Sequence, residues 1–148
     1  MSRRAKIINT LVDLVNTNLD GTTYTSNIYG NAENKLRFWD EVSSYPYISI
    51  VAGDEYREYQ PGNFKWAFLN CVIRLYTKGD YPEEELEQFF EDIEHLLDVN
   101  NQIEYDTGEE ITSITLTSIT TDEGVLRPLG IGEINIQIRY PLQGACPQ

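Results

Sequence analysis

The chain has 148 residues, 24 acidic and 11 basic, for a net charge of −13 at pH 7. Neutralising phosphates supplies most nucleic-acid affinity, so this balance excludes tight DNA binding and disfavours adhesion to anionic membranes. A hydrophobic content of 41% excludes a disordered chain, and at this length one domain with one core is expected.

Ser2 to Leu19 predicts the first helix. Ser2 caps it, and Ile7, Ile8, Leu11, Val12, Leu14, Val15 and Leu19 recur at three- and four-residue spacings as one apolar stripe. Arg3 and Arg4 oppose the macrodipole at the helix start. They are expected either to meet acidic partners elsewhere, such as on another chain, or simply to be solvated. The segment lacks the continuous apolar core and cleavage site of a signal peptide. No apolar run approaches the ~20 residues of a membrane span, so a cytoplasmic setting is expected. Thr22 to Tyr29, rich in Thr and Tyr, predicts a first strand. Phe38, Trp39 and Val42 with Asp40 and Glu41 suggest one helical turn. Tyr47 to Ala52 predicts a central strand, apolar on both faces, with Gly53-Asp54 turning the chain.

Tyr56 to Thr77 predicts a long β-hairpin around Gln60-Pro61-Gly62-Asn63. Phe64, Trp66 and Phe68 share one face, continued by Val72, Arg74 and Tyr76. Ala67, Leu69 and Cys71 share the other, continued by Ile73 and Leu75. The first arm, Glu55 to Tyr59, is much shorter than the second, so the surplus must find another partner strand. Pro61-Gly62 suits a type II turn, which mismatches the twist of a two-residue hairpin, so a wider, projecting loop is expected.

Asp80 with Glu83 predicts the capping box of a second helix. Its buried stripe is Leu86, Phe89, Phe90, Ile93, Leu96 and Leu97, and its remaining surface is acidic: Glu84, Glu87, Glu91, Asp92, Glu94 and Asp98 among others. Ile103 to Tyr105 suggests a short strand. Glu110 to Thr121 alternates and then changes phase, which predicts a bulge near Thr117. Gly132 to Tyr140 alternates, with Ile134, Ile136, Ile138 and Tyr140 inward and Pro141 ending the strand. The elements describe an α+β fold: a mostly antiparallel sheet with a long projecting hairpin, packed against two helices. It spans residues 1–141 as a single domain, with 142–148 as a flexible tail.

The chemistry is sparse. His95 beside Glu91 and Glu94 sits on a charged helix flank without the cleft and defined partner that acid–base catalysis needs. Asp54-Glu55 and Asp122-Glu123 are acidic loop pairs that fit no calcium-loop pattern. Cys71 and Cys146 form neither a metal spacing nor a disulfide framework and read as reduced thiols. No phosphate loop or nucleophile motif is present. No enzyme, cofactor or metal residue is assigned.

The stretches RRAKIINTLVDLVN, SNIYGN, FWDEVSSYPYISIVAGDEYREYQPGNFKWAFLNCVIRLYTKG, EEELEQFFEDIEHLLD and ITTDEGVLRPLGIGEINIQIRY, in this order, resemble the tail terminator (tail completion) proteins of phages with long, non-contractile tails. The resemblance spans about residues 3–141. It implies a structural virion protein: a hexameric ring at the head-proximal end of the tail tube, assembled in the host cytoplasm. Such a ring ends tube polymerisation and offers the surface for head docking through a head-closing (connector) protein. It implies no enzyme activity and no cofactor, with DNA traversing the lumen without tight binding. The candidate subunit or partner contacts are Tyr59, Gln60, Pro61, Gly62, Asn63 and Phe64 at the hairpin tip, with Asp122, Glu123, Leu126 and Arg127 in the loop before the last strand. Two other readings remain open at this point. One is a different neck adaptor, such as the head-closing protein; the other is a small cytosolic ligand-binding protein.

Overall fold

The structure, a computed structural model, describes residues 2–143. Helix α1 spans Arg3–Asn18, and the Ser2 hydroxyl accepts from the Ala5 amide, as expected of its cap. Strands β1 (Ala32–Glu33), β2 (Tyr47–Gln60) and β3 (Phe64–Lys78) follow, with a 3-10 turn at Trp39–Glu41. Helix α2 spans Pro82–Val99. Then come β4 (Glu104–Asp106), β5 (Glu109–Glu110), β6 (Ser113–Thr121) and β7 (Leu129–Gln143). The fold is α+β. Five strands form one sheet in the order β1-β2-β3-β7-β6, antiparallel except for β1 with β2, and β4–β5 is a separate ribbon.

Both helices pack on the same face. The inward residues of the sheet are Ile48 and Ile50 on β2, the odd-numbered positions from Ala67 to Leu75 on β3, and the even-numbered positions from Ile134 to Tyr140 on β7. All are buried with the stripes of α1 and α2 in one core. The alternation of β7 and the stripe of α2 are as the sequence predicts. On the other face only one end is covered, where the segment before β2 lays Val42 and Tyr45 against Tyr47 and Tyr76.

The hairpin is longer and more symmetric than expected. Gly53-Asp54 does not turn the chain; it is a bulge inside β2, between the Ala52–Cys71 and Glu55–Leu69 pairs. The strand read as Tyr47 to Ala52 and the short first arm are therefore one strand of 14 residues, paired along β3 with its 15. Nothing is left over on β3, because β7 pairs with all of its other edge. The expected bulge on β6 falls between Leu116 and Ser118. Both bulges sit at the level of the Cys71–Ile136 pair, one in each strand flanking β3 and β7, and bulges bend and twist the strands that carry them.

Three further expectations are corrected. Thr22 to Tyr29 is not a strand: the Asp20 carboxylate accepts from the Thr22 and Thr23 amides and folds the segment into a turn. These amides hold Asp20 below the usual carboxylate range. Asp80 does not cap α2; the helix begins at Pro82 with Tyr81 in the cap position, because the residue before proline is pushed out of helical geometry. Pro141 does not end β7, which continues through Leu142 and Gln143 opposite Lys65 and Phe64. Strand β6 begins opposite Arg139, so at Pro141 the far edge is unpaired and tolerates a missing amide. The rest of the expected tail, residues 144–148 with Cys146, lies outside the described residues. Of the two alternatives for Arg3 and Arg4, the structure shows acidic partners, and they lie within the chain at Glu109 and Glu55.

Several tyrosines anchor this framework. The Tyr47 hydroxyl donates to Glu33 (3.0 Å) and Tyr76 donates to the Arg37 carbonyl (2.6 Å). Burial, aided by Glu33, pushes Tyr47 up to about 12, and burial raises Tyr76 as well. Burial also pushes the Cys71 thiol up to about 12. Groups whose folded pKa exceeds the unfolded value stabilise fully below the unfolded pKa and lose that contribution as pH rises towards the folded one. Stability is expected to fall between about pH 9, the unfolded cysteine value, and pH 12, with the buried tyrosines ionising in one step with unfolding. Tyrosinate absorbance and circular dichroism followed together would show this, and tyrosinate signal from the buried rings before any loss of ellipticity would refute it.

Candidate functional site

The outer half of the hairpin, beyond the β2 bulge, is held by one buried carboxylate. Glu55, with its side chain 4% exposed, accepts from the Tyr140 hydroxyl (2.8 Å) and pairs with Arg57 and with Arg4 (3.7 Å). Arg4 also donates to the Gly53 carbonyl inside the bulge. This network ties α1, β2 and β7 together where the hairpin leaves the helices. Burial beside Glu55 raises the Tyr140 pKa.

Beyond this point the face away from the helices is a ladder of rings. Tyr56 stacks on Phe68 and Phe64 meets Trp66 edge-on, each with centroids 4.9 Å apart. The Arg139 guanidinium lies 4.1 Å above Trp66 and donates from Nε to the Thr112 hydroxyl (2.9 Å). Gln137 donates to the Tyr56 hydroxyl (3.0 Å). Phe64, Trp66 and Phe68 are only half-buried because both helices took the opposite face. At the tip, Pro61, Gly62 and Asn63 close a three-residue loop, with Gly62 at φ 79° and Asn63 at φ 62°. Glycine and asparagine are the residues that tolerate this left-handed region. Tyr59 is 75% exposed, with the Lys65 ammonium 5.1 Å over its ring. The candidate residues Tyr59 to Phe64 are therefore together. The sequence reading missed Tyr56, Gln137 and Arg139 as their neighbours. Their signal was the outward phase of their strands, but only the register aligns them.

Asp122, Glu123, Leu126 and Arg127 also lie together, at the other end of the sheet. Phe64 pairs with Gln143, whereas Lys78 pairs with Leu129, so strand β3, about 45 Å of extended chain, separates the two groups. The Asp122 carboxylate turns inward and accepts from the Gly124, Leu126 and Ile131 amides, so it organises its own loop and does not act with Glu123. Glu123 is exposed at φ 56°, and Arg127 pairs with Glu83 (2.7 Å).

Beside this loop, Glu84, Glu87, Glu91 and Glu94 form an exposed row on α2. They wall a groove that Phe90, Ile119 and Glu123 help line. Asp92, expected among the solvated acids, points inward instead. It accepts from both the amide (3.1 Å) and the hydroxyl of buried Ser26, and from Gln88 (3.0 Å). Asp92→Ala strands the Ser26 donors and is expected to cost about 2 kcal/mol, seen in chemical denaturation. A loss under 0.5 kcal/mol would contradict the role. His95 contacts the Tyr24 hydroxyl (2.8 Å) on an exposed flank. Among the described residues, no group of three or more His, Cys, Asp or Glu side chains is placed to hold a metal ion, and no helix is long and apolar enough to cross a membrane.

Residues 1–145 match the family model described as Bacteriophage Tail Tube Terminator Protein. The chain is also 32% identical, over a 152-residue alignment, to the tail tube terminator protein of Escherichia phage T5. That alignment covers 95% of this chain and 94% of the phage T5 protein.

Proposed function

The chain belongs to the bacteriophage tail tube terminator family and is a structural protein of the phage tail; from that premise we propose that copies of it close a ring on the head-proximal end of the tail tube. The ring stops tube polymerisation and presents the surface on which the filled head docks through a connector protein. Six copies are the ring order that the resemblance implies. The protein acts by contact rather than catalysis, and assembles in the host cytoplasm before joining the virion.

The observation that carries this reading is the separation of the two contact groups. Copies that close a ring use two different surfaces, each meeting the other on the next copy. The hairpin tip and the 122–127 loop stand at opposite ends of one sheet, which is the arrangement a head-to-tail contact requires. The net charge of −13 suits a lumen that DNA crosses without sticking, since acidic walls repel phosphate over a Debye length of about 8 Å. The family match favours this reading over a head-closing adaptor or a small ligand-binding protein.

Deleting the gene tests it. Tails of irregular length that fail to join heads are expected in electron micrographs, and native mass spectrometry of the assembled protein should give six copies. Uniform tails that still join heads would sink the proposal.

A further inference from the structure

The ring reading leaves open which faces meet, and charge narrows the choice. With 24 acidic and 11 basic residues, two arbitrary patches of this molecule meet as like charges, which costs several kcal/mol. Most of the cations are already spent inside the chain: Arg3, Arg4 and Lys6 on α1, and the arginines at 37, 57, 74 and 127, all have carboxylate partners. Lys65 and Arg139 have none among the described residues and rest on the rings of Tyr59 and Trp66. Lys35 and Lys78 also lack one, but they lie at the other end of the sheet. Arg139 shares the ring face with Trp66 and Phe68, whereas Lys65 and Tyr59 are in the phase of Ala67 and lie on the opposite face. The ring face thus combines aromatic surface with a cation free to pair.

One other region has the opposite character. The α2 row of Glu84, Glu87, Glu91 and Glu94 borders Ile119, 38% exposed. It has apolar ground to receive rings and carboxylates to receive cations. It flanks the far end of the sheet, where Phe90 and Leu86 crowd Gly132, and lies on the helix side rather than the ring side. A molecule cannot bring its own two regions together, whereas a neighbour can.

We infer that the ring face of the outer hairpin docks on the acidic α2 groove of a second copy of this chain. Trp66 and Phe64 cover Ile119, while Arg139 meets the glutamate row. Each copy offers both halves, so the contact propagates head to tail. This inference rests on the ring reading.

Charge reversal tests it, with variants supplied in place of the wild-type chain during infection. Assembly is read as the fraction of tails of uniform length and as cross-linked multimers of the chain. Arg139→Glu is expected to reduce both at least roughly tenfold, the effect of about 1.4 kcal/mol. The pair Glu87→Lys and Glu91→Lys, on fully surface positions that do not enter the core, is expected to do the same. All three changes in one chain should restore assembly to within roughly threefold of wild type, since each reversed face again meets its complement. Thermal unfolding of each variant guards against simple misfolding. The inference is overturned if Arg139→Glu or the glutamate pair assembles like wild type, or if the threefold variant is no better than the worse of the two. It is equally overturned if hairpin reversal blocks attachment to tubes while the multimers persist, which would give this face to the tube. These results leave the ring reading standing. Uniform tails without any copy of the chain would instead remove the ring reading itself.

Discussion

Gly132→Ala is expected to lower the thermal midpoint by up to roughly 10 °C, although it adds a single methyl group. Overpacking a close-packed core costs about 1–3 kcal/mol, and each kcal/mol moves the midpoint of a chain this size by roughly 2–4 °C. Gly132 lies on β7 with a strand on each side, between Leu75 of β3 and Thr121 of β6. A Cβ there would come within 2.5 Å of Phe90 Cζ and 2.8 Å of Cε1, with Leu86 Cδ2 at 3.3 Å. Phe90 is 4% exposed, so its ring moves only at the cost of its packing, and the strand is held on both edges. The cost therefore falls on the packing of α2 against the sheet. Phe90→Leu removes the ring atoms that clash. The double variant is expected to be more stable than the sum of the two single losses predicts, by at least about 0.5 kcal/mol, the threshold for coupled neighbours. Strict additivity in denaturant titrations would show that Phe90 is not what excludes a side chain at Gly132.

Glu55→Ala carries the second large effect, on the order of 3 kcal/mol. Removing one partner of a buried ion pair typically costs about 3–5 kcal/mol, because what remains is buried and unpaired. Here the lower end applies. Arg4 and Arg57 have side chains 45% and 34% exposed and can rehydrate, whereas the Tyr140 hydroxyl, on a residue 1% exposed, cannot. Tyr140→Phe alone should cost less, and in the Glu55→Ala background it should cost almost nothing, because the hydroxyl then has no acceptor to lose. The effect is also local. Glu55 is the first residue after the bulge, so amide exchange should accelerate across Tyr56 to Leu69 while Ile73 to Thr77, locked between β2 and β7, stays protected. Uniform acceleration over both segments would mean that Glu55 supports the whole sheet and not the outer hairpin in particular.

Much of this was legible from residue order alone, for a consistent reason. The stripes of α1 and α2, the alternation from Ile134 to Tyr140 and the phase change before Ser118 are periodic signals. Each reports which side of one element meets apolar neighbours, and needs no knowledge of the neighbour. The tip of the hairpin was legible too, because Pro61, Gly62 and Asn63 are residues that turns select for their backbone geometry.

What failed depended on a partner. Thr22 to Tyr29 has strand propensity but no strand beside it, and the Asp20 carboxylate claims its amides first. Gly53-Asp54 has the composition of a turn, yet β3 continues opposite it and makes it a bulge. Asp92 and Asp122 look like solvated acids and are internal acceptors, because Ser26 and the loop amides happen to converge on them.

The sequence by itself determined the α+β class, the two amphipathic helices, the long hairpin and the acid-rich surface, since these follow from spacing and charge. Only the tertiary structure decided that both helices cover the same face. That choice leaves Trp66 and its neighbouring rings half-open, and the strand register sets Arg139 over Trp66. Burial of one face is a property of a strand; which face remains open is a property of the whole packing.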